Sequence, residues 1–377
     1  MPDLLIELFS EEIPARMQAR AADDLRAKVM DGLREAGLGH GEARAFATPR
    51  RLVLFIEALE AESPTVEEER KGPRADAPDK AIEGFLRGAG VTREDLELRD
   101  EKKGQVYFVK IIKPGRAAEA IVAQVLEATV RNFPWPKSMR WGAGSLRWVR
   151  PLQSILCVLS EDGASRVVDL EIDGITAGDT TEGHRFMAPG RFSVTSFAAY
   201  EAELKARNVM LDPKARADAI RTALAEFADA AGLEVVDDPG LLAEVAGLVE
   251  WPVPLMGEIG KTFLDLPPEV LQSSMREHQK FFSLRNPKTG QIERFVTVAN
   301  VETADKGATV LAGNQKVLSA RLSDAAFFWQ NDLRVARDGM GAWLKQLETV
   351  TFERTLGTQA ARIERIEALA REIAPLV

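Results

Sequence analysis

The segment Arg51–Ile56, RLVLFI, is apolar on both sides of an extended strand. Leu52, Leu54 and Ile56 share one face, and Val53 and Phe55 share the other. Successive strand residues point to opposite faces. A strand with two apolar faces therefore belongs in the centre of a sheet covered above and below. The preceding RAFAT forms its partner across a turn at Pro49, and Asp3–Phe9, DLLIELF, reads as another short buried strand.

Helical segments alternate with these strands. Over 14–36, Met17, Ala21, Leu25, Val29 and Leu33 recur every four residues and make one apolar stripe. Pro14 suits the first turn, and Gly37 or Gly39 can end the helix. Residues 57–80 combine a run of glutamates with Arg70-Lys71-Gly72-Pro73-Arg74 and three X-Pro breaks, which predicts a loop, followed by a small helix in PDKAIEGFLRGAG. Further strands are expected at 105–112, 279–284 and 292–301, with a hairpin over 152–159 and 166–172. Helices are expected at 116–131, 196–207, 213–231, 239–249, 308–335 and from 340 onward. Ile363, Ile366, Leu369 and Ile373 carry an apolar stripe almost to Val377 with nothing after it to pack on, so the chain is expected to be the front part of a longer polypeptide.

Charge is unevenly spread. The chain of 377 residues has a formal net charge of −9, which argues against uniform coating of nucleic acid. Yet positions 128–160 hold no Asp or Glu, while the same interval carries Arg131, Lys137, Arg140, Arg147 and Arg150 interleaved with Trp135, Trp141 and Trp148. Basic groups pair with phosphates, and indole faces can stack on bases. The competing reading puts the tryptophans in the core and the arginines on a solvated rim. A second basic stretch runs from Arg276 to Arg294, where Phe281 and Phe282 read as core and His278 as a surface or hydrogen-bonding residue.

Several chemistries find no support. One cysteine, Cys157, permits no internal disulfide, and His40, His184 and His278 lie far apart. Gly260-Lys261-Thr262 resembles the end of a phosphate loop, but the glycine needed at 255 is Leu255. There is no GxSxG elbow and no HExxH pair. No apolar run approaches the ~18 residues of a membrane span, and the acidic start MPDLLIELFSEEIPAR is unlike a signal peptide. The expected location is cytoplasmic. From its residues the chain reads as a binding or scaffolding polypeptide, or part of an enzyme whose catalytic groups lie elsewhere.

Blocks spread over the whole chain resemble the beta subunit family of bacterial tetrameric glycyl-tRNA synthetases. They are LLIELFSEEIPAR, ATPRRL at 47–52, ERKGP at 69–73, KSMRWG at 137–142, RWVRP at 147–151, EGHRFM at 182–187 and LVEWPVPL at 248–255. FVTVAN at 295–300, GNQKVLSARLSDAAFFWQND at 313–332 and LGT at 356–358 follow in the family order. The resemblance implies a multidomain α+β fold with a B3/B4-type mixed α/β domain in the middle and a helical C-terminal segment. The expected divisions are 1–127, an N-terminal α+β domain; 128–265, the B3/B4-like domain; 266–335, an α+β continuation; and 336–377, a helical linker before an HD-like domain.

It also implies a division of labour. An alpha subunit would carry the class II adenylation site with its ATP and magnesium. The beta chain would hold no cofactor or metal, bind tRNA(Gly), and assemble into an alpha-two beta-two complex. The candidate tRNA contacts rest on charge and composition: Lys137, Arg140, Arg147 and Arg150, then Arg50, Arg51 and Lys71, with Trp141, His184 and Arg185. No residue is assigned a catalytic role. Two alternatives stand beside this reading. One is editing-type hydrolysis of mischarged tRNA, for which a glycine pocket that excludes larger amino acids has little need. The other is a scaffold that touches only the alpha subunit.

Overall fold

A computed structural model describes residues 1–101 and 104–376. The chain is α+β and divides into two compact units. The first comprises 1–221, 242–253 and 299–302; the second comprises 222–241, 254–298 and 303–377.

The first unit is built on a mixed sheet. Its strands are β1 (Asp3–Ser10), β2 (Ala43–Thr48), β3 (Arg51–Ile56), β7 (Leu152–Glu161), β8 (Ala164–Val167), β9 (Glu171–Ile172) and β10 (Ile175–Gly178). The order is β2-β3-β1-β7-β10-β9, with β8 paired to β7. All six residues of β3 are buried between β2 and β1, as its two apolar faces require. One face packs on α1 (Ala15–Glu35) and α3 (Ala118–Arg131), where the predicted stripe Met17, Ala21, Leu25, Val29 and Leu33 is buried. The other face packs on α4 (Phe197–Ala206) through Phe197, Tyr200 and Leu204. β7 lies beside β1 in register from Leu4↔Leu159 to Phe9↔Ser154, because the apolar β1 needs a second neighbour.

Two local expectations change. Residues 66–74 form a strand, β4 (Val66–Arg74), where a loop was expected. It joins β5 (Leu96–Glu101) and β6 (Gly104–Lys113) in a separate sheet ordered β4-β6-β5. Its backbone ladder is flanked by cross-strand ion pairs, Glu67–Lys110 at 2.5 Å, Glu68–Lys113 at 2.9 Å and Glu69–Arg99 at 2.7 Å. The helix after it is α2 (Asp79–Ala89), as expected. The hairpin is β7–β8, closed by Asp162-Gly163 with both φ positive, while Glu171–Ile172 leaves it to pair with β10.

The shorter β11 (Thr180–Glu182) and β12 (Arg191–Ser193) pair with each other. Helices α5 (Pro213–Ala231) and α6 (Pro239–Ala246) follow. In the second unit, β13 (Glu234–Val235), β14 (Val253–Glu258), β15 (Phe282–Arg285) and β16 (Ile292–Ala299) form a sheet ordered β13-β15-β16-β14. Before β15, α7 (Pro268–Ser274) runs into a π-helical turn over Met275–Gln279, so the strand starts later than 279. Phe281 and Phe295 stack in a core that also holds Leu318 and Leu322 of α8 (Ala308–Arg337). Beyond it lie α9 (Gly341–Gln346), the small pair β17 (Thr351–Glu353) and β18 (Gly357–Thr358), and α10 (Gln359–Ile373). Ile363, Ile366, Leu369 and Ile373 are exposed on α10, and Val377 lies outside the described residues.

Candidate nucleic-acid interface

The acid-free interval begins at the end of α3 and stays irregular until β7. Its backbone is pinned at two places. Met139 and Trp148 exchange both backbone hydrogen bonds, at 2.8 and 3.2 Å, which closes the loop between them. Asp173, outside the interval, accepts from the Ser145 N–H at 3.1 Å, the Ser145 hydroxyl at 2.8 Å and the Leu146 N–H at 3.1 Å. The Leu146 N–H and the Ser145 groups hold its carboxyl below the usual range. A Cβ at Gly144 would sit 2.2 Å from Asp173 Oδ2, so a larger residue there would displace the carboxylate.

The tryptophans separate by role. Trp148 is fully buried, 5.0 Å from both Phe133 and Trp135, and edge-on to Trp135 at 82°. It is core and cannot stack on a base. Trp141 is half-buried and packs against the same core. Trp135 is half-buried and lines a cleft of about 300 Å³.

The cations of the loop face water. Lys137, Arg140, Arg147 and Arg150 are exposed, and none forms an ion pair with a described residue. Arg147 Nε reaches only Ser138 Oγ at 3.3 Å, and Arg150 donates to its neighbour's carbonyl, Val149 O, at 2.8 Å. Arg131 is the exception, paired with Glu127 at 2.8 Å. The second basic stretch behaves differently. Arg276 pairs with Asp238 at 3.2 Å, Arg285 with Glu234 at 3.4 Å and Arg294 with Glu258, while Phe281 and Phe282 are buried. Its charge is largely spent within the protein.

The structure adds two residues that the sequence reading passed over. Arg16 and Arg20, exposed on the first turns of α1, border the same cleft as Trp135 and Lys137. The signal was present in their i, i+4 spacing, which puts both on one side of the helix. What the sequence does not show is that this side meets residues 133–137.

The remaining candidates are engaged elsewhere. Arg51 is fully buried, so a role in contacting external phosphate is corrected. Its Nε donates to Glu7 at 3.1 Å, and its two terminal nitrogens donate to the Glu250 carboxylate and the Glu182 carbonyl. Tyr200 and Thr181 hydroxyls also donate to Glu7, and the Thr48 hydroxyl donates to Glu250 at 2.8 Å. Burial alone would lower the pKa of Arg51, but Glu250 and Glu7 outweigh it and raise the value. Burial would raise Glu250, but Arg51 and Thr48 hold it below the ordinary value.

His184 is also fully buried, and the same correction applies. Its Nδ1 accepts the backbone N–H groups of Phe186 at 3.3 Å and Met187 at 3.2 Å, so the ring shapes the EGHRFM loop. That leaves Phe186 in water at 70% exposure. Arg185 pairs with Glu11 at 2.7 Å. Arg50 is 7% exposed, lies 4.5 Å over the Phe9 ring and donates to Gln153 at 3.2 Å. Burial first, then the Arg185 charge, lowers its pKa. Lys71 pairs with Glu101 on the three-stranded sheet.

Among the described residues, no group of three His, Cys, Asp or Glu side chains is placed to hold a metal ion, and no helix is long and apolar enough to cross a membrane. Burial raises the Cys157 thiol to about 12, which keeps it protonated and inert at neutral pH.

These features define a multidomain α+β protein that carries a cationic, aromatic loop on its surface. The sequence model of the glycyl-tRNA synthetase beta subunit family matches residues 4–377. The chain belongs to that family. The glycine–tRNA ligase beta subunit of Ruegeria sp. (strain TM1040) is 69% identical over 379 residues, covering 100% of this chain and 55% of the relative. That of Paracoccus denitrificans is 67% identical over 377 residues with the same coverage. That of Phenylobacterium zucineum is 52% identical over 379 residues, again 100% and 55%. The chain therefore spans about half the length of the curated relatives it matches.

Proposed function

We propose that this chain is the tRNA-binding and assembly portion of a glycine–tRNA ligase beta subunit. It supports ATP-dependent attachment of glycine to tRNA(Gly) by an alpha subunit, in an alpha-two beta-two complex in the cytoplasm. ATP and magnesium act at the alpha subunit. The observation that carries this reading is the loop at 137–150, whose four exposed cations are left without carboxylate partners among the described residues in a chain of net charge −9. A polyanion is the partner that such cations are free to meet.

The test is tRNA(Gly) affinity as a function of salt. Removing charge at Lys137, Arg140 and Arg147 together is expected to weaken binding and flatten the log–log slope by about one unit per lost phosphate contact. Unchanged affinity and slope in the triple variant defeats the assignment of this loop. Normal alpha-subunit binding with no tRNA affinity would favour the scaffold alternative. Deacylation of mischarged tRNA by the chain would favour the hydrolase.

A further inference from the structure

We infer that the cleft between α1 and residues 133–137 seats one unpaired nucleobase of the bound RNA. The inference rests on the tRNA-binding reading and assigns it a subsite. At about 300 Å³ the cleft lies at the small end of the roughly 300–1,000 Å³ of ligand pockets, with room for a single ring system. One wall is Met17 and Ala21 of α1, and the other is Trp135 between Pro134 and Pro136.

The aromatic wall is set before any ligand arrives. Trp135 is held edge-on against the buried Trp148 and 4.8 Å from Phe133, so little side-chain freedom is lost on binding. The prolines flanking it carry no N–H and present no backbone donor to a base edge. Stacking, which tolerates any base, is the interaction this wall offers.

Charge selects the occupant. Arg16 and Lys137 border the cleft, exposed and without an ion pair to any described residue. Arg20 is held only by the exposed contact to Asp24 at 3.5 Å. An apolar slot bordered by three cations and one carboxylate, Asp24, which Arg20 faces, fits a flat ring that brings phosphates with it. A base inside a duplex cannot enter, whereas unstacked loops and ends can.

The experiment places 2-aminopurine in tRNA(Gly) at each unpaired position in turn and reads its fluorescence on binding this chain. One position is expected to be quenched, with the quench lost in Trp135→Leu and affinity down roughly five- to a hundredfold, the range of one base–aromatic stack. Because Trp135 packs on Trp148, the variant can fail to fold. A photoactivatable base at the quenched position, used with the unaltered chain, is therefore expected to crosslink within 16–24 or 133–137. tRNA binding with its full salt slope, but with no position-specific quench and no crosslink there, overturns the cleft and leaves the tRNA reading standing. No tRNA binding at any salt defeats both. Protection of the cleft by the alpha subunit without RNA assigns it to a protein side chain and overturns the inference.

Discussion

Arg51 shows how one residue can be read correctly in pattern and wrongly in role. It stands in ATPRRL beside Arg50, and two adjacent arginines in a net-acidic chain look like phosphate ligands. The fold turns Arg51 into the interior, where Glu7 and Glu250 flank it. No local pattern announces this, because Glu250 is 199 positions away. Removing one member of a buried ion pair leaves the other uncompensated, so Arg51→Ala or Glu250→Leu is expected to cost about 3–5 kcal/mol of stability. Urea unfolding of the first unit measures it, and a loss below about 1 kcal/mol would contradict the network as drawn. His184 is the same lesson at smaller scale: a histidine beside Arg185 looked like a site, and its ring turned out to bind two amides of its own loop.

At the scale of elements, periodicity carried the reading where burial has a period. The α1 stripe and the two-faced β3 stand where their patterns put them. β4 was missed because it has no apolar alternation; its backbone pairs with β6 while its charged side chains meet opposite charges across the sheet, which a run of glutamates followed by basic residues conceals. The loop at 137–150 was legible as composition, but its anchor was not, since Asp173 lies beyond the interval. That anchor makes a pH prediction. The folded carboxyl titrates below its ordinary value of 3.8, so its contribution is complete above that value and is lost as pH falls through the lowered one. Protection of the Ser145 and Leu146 amides, taken relative to intrinsic exchange at the same pH, is therefore expected to fall at acid pH. Asp173→Asn is expected to lower it already at neutral pH. Equal protection in both proteins across this range would remove Asp173 from the role.

For the whole molecule, the sign of the net charge matters less than where neutralisation occurs. The stretch from Arg276 to Arg294 spends its arginines on acids of its own unit, whereas the loop at 137–150 keeps its cations for solvent. Composition sees two basic stretches; only the packed chain tells them apart. The adjacency of Arg16 and Arg20 to Trp135 is likewise a property of tertiary packing. Reconstitution tests the division of labour at this scale. This chain alone is expected to form no glycyl-tRNA from glycine, ATP and tRNA(Gly), whereas the alpha subunit mixed with a full-length relative forms it; acid-precipitable glycine is the readout. Glycylation by the chain alone would end the non-catalytic reading.

The Glu7–Arg51–Glu250 network also sets a clock. Synthesis proceeds at about 5–20 residues per second, so Glu250 follows Arg51 by roughly 10–40 s. Throughout that interval the nascent β1 and β3 hold a guanidinium with one of its two counter-charges unmade. The first strands to be translated are thus completed only after every other strand of their sheet has been made, and a pause or break before position 250 leaves the centre of the sheet electrostatically open.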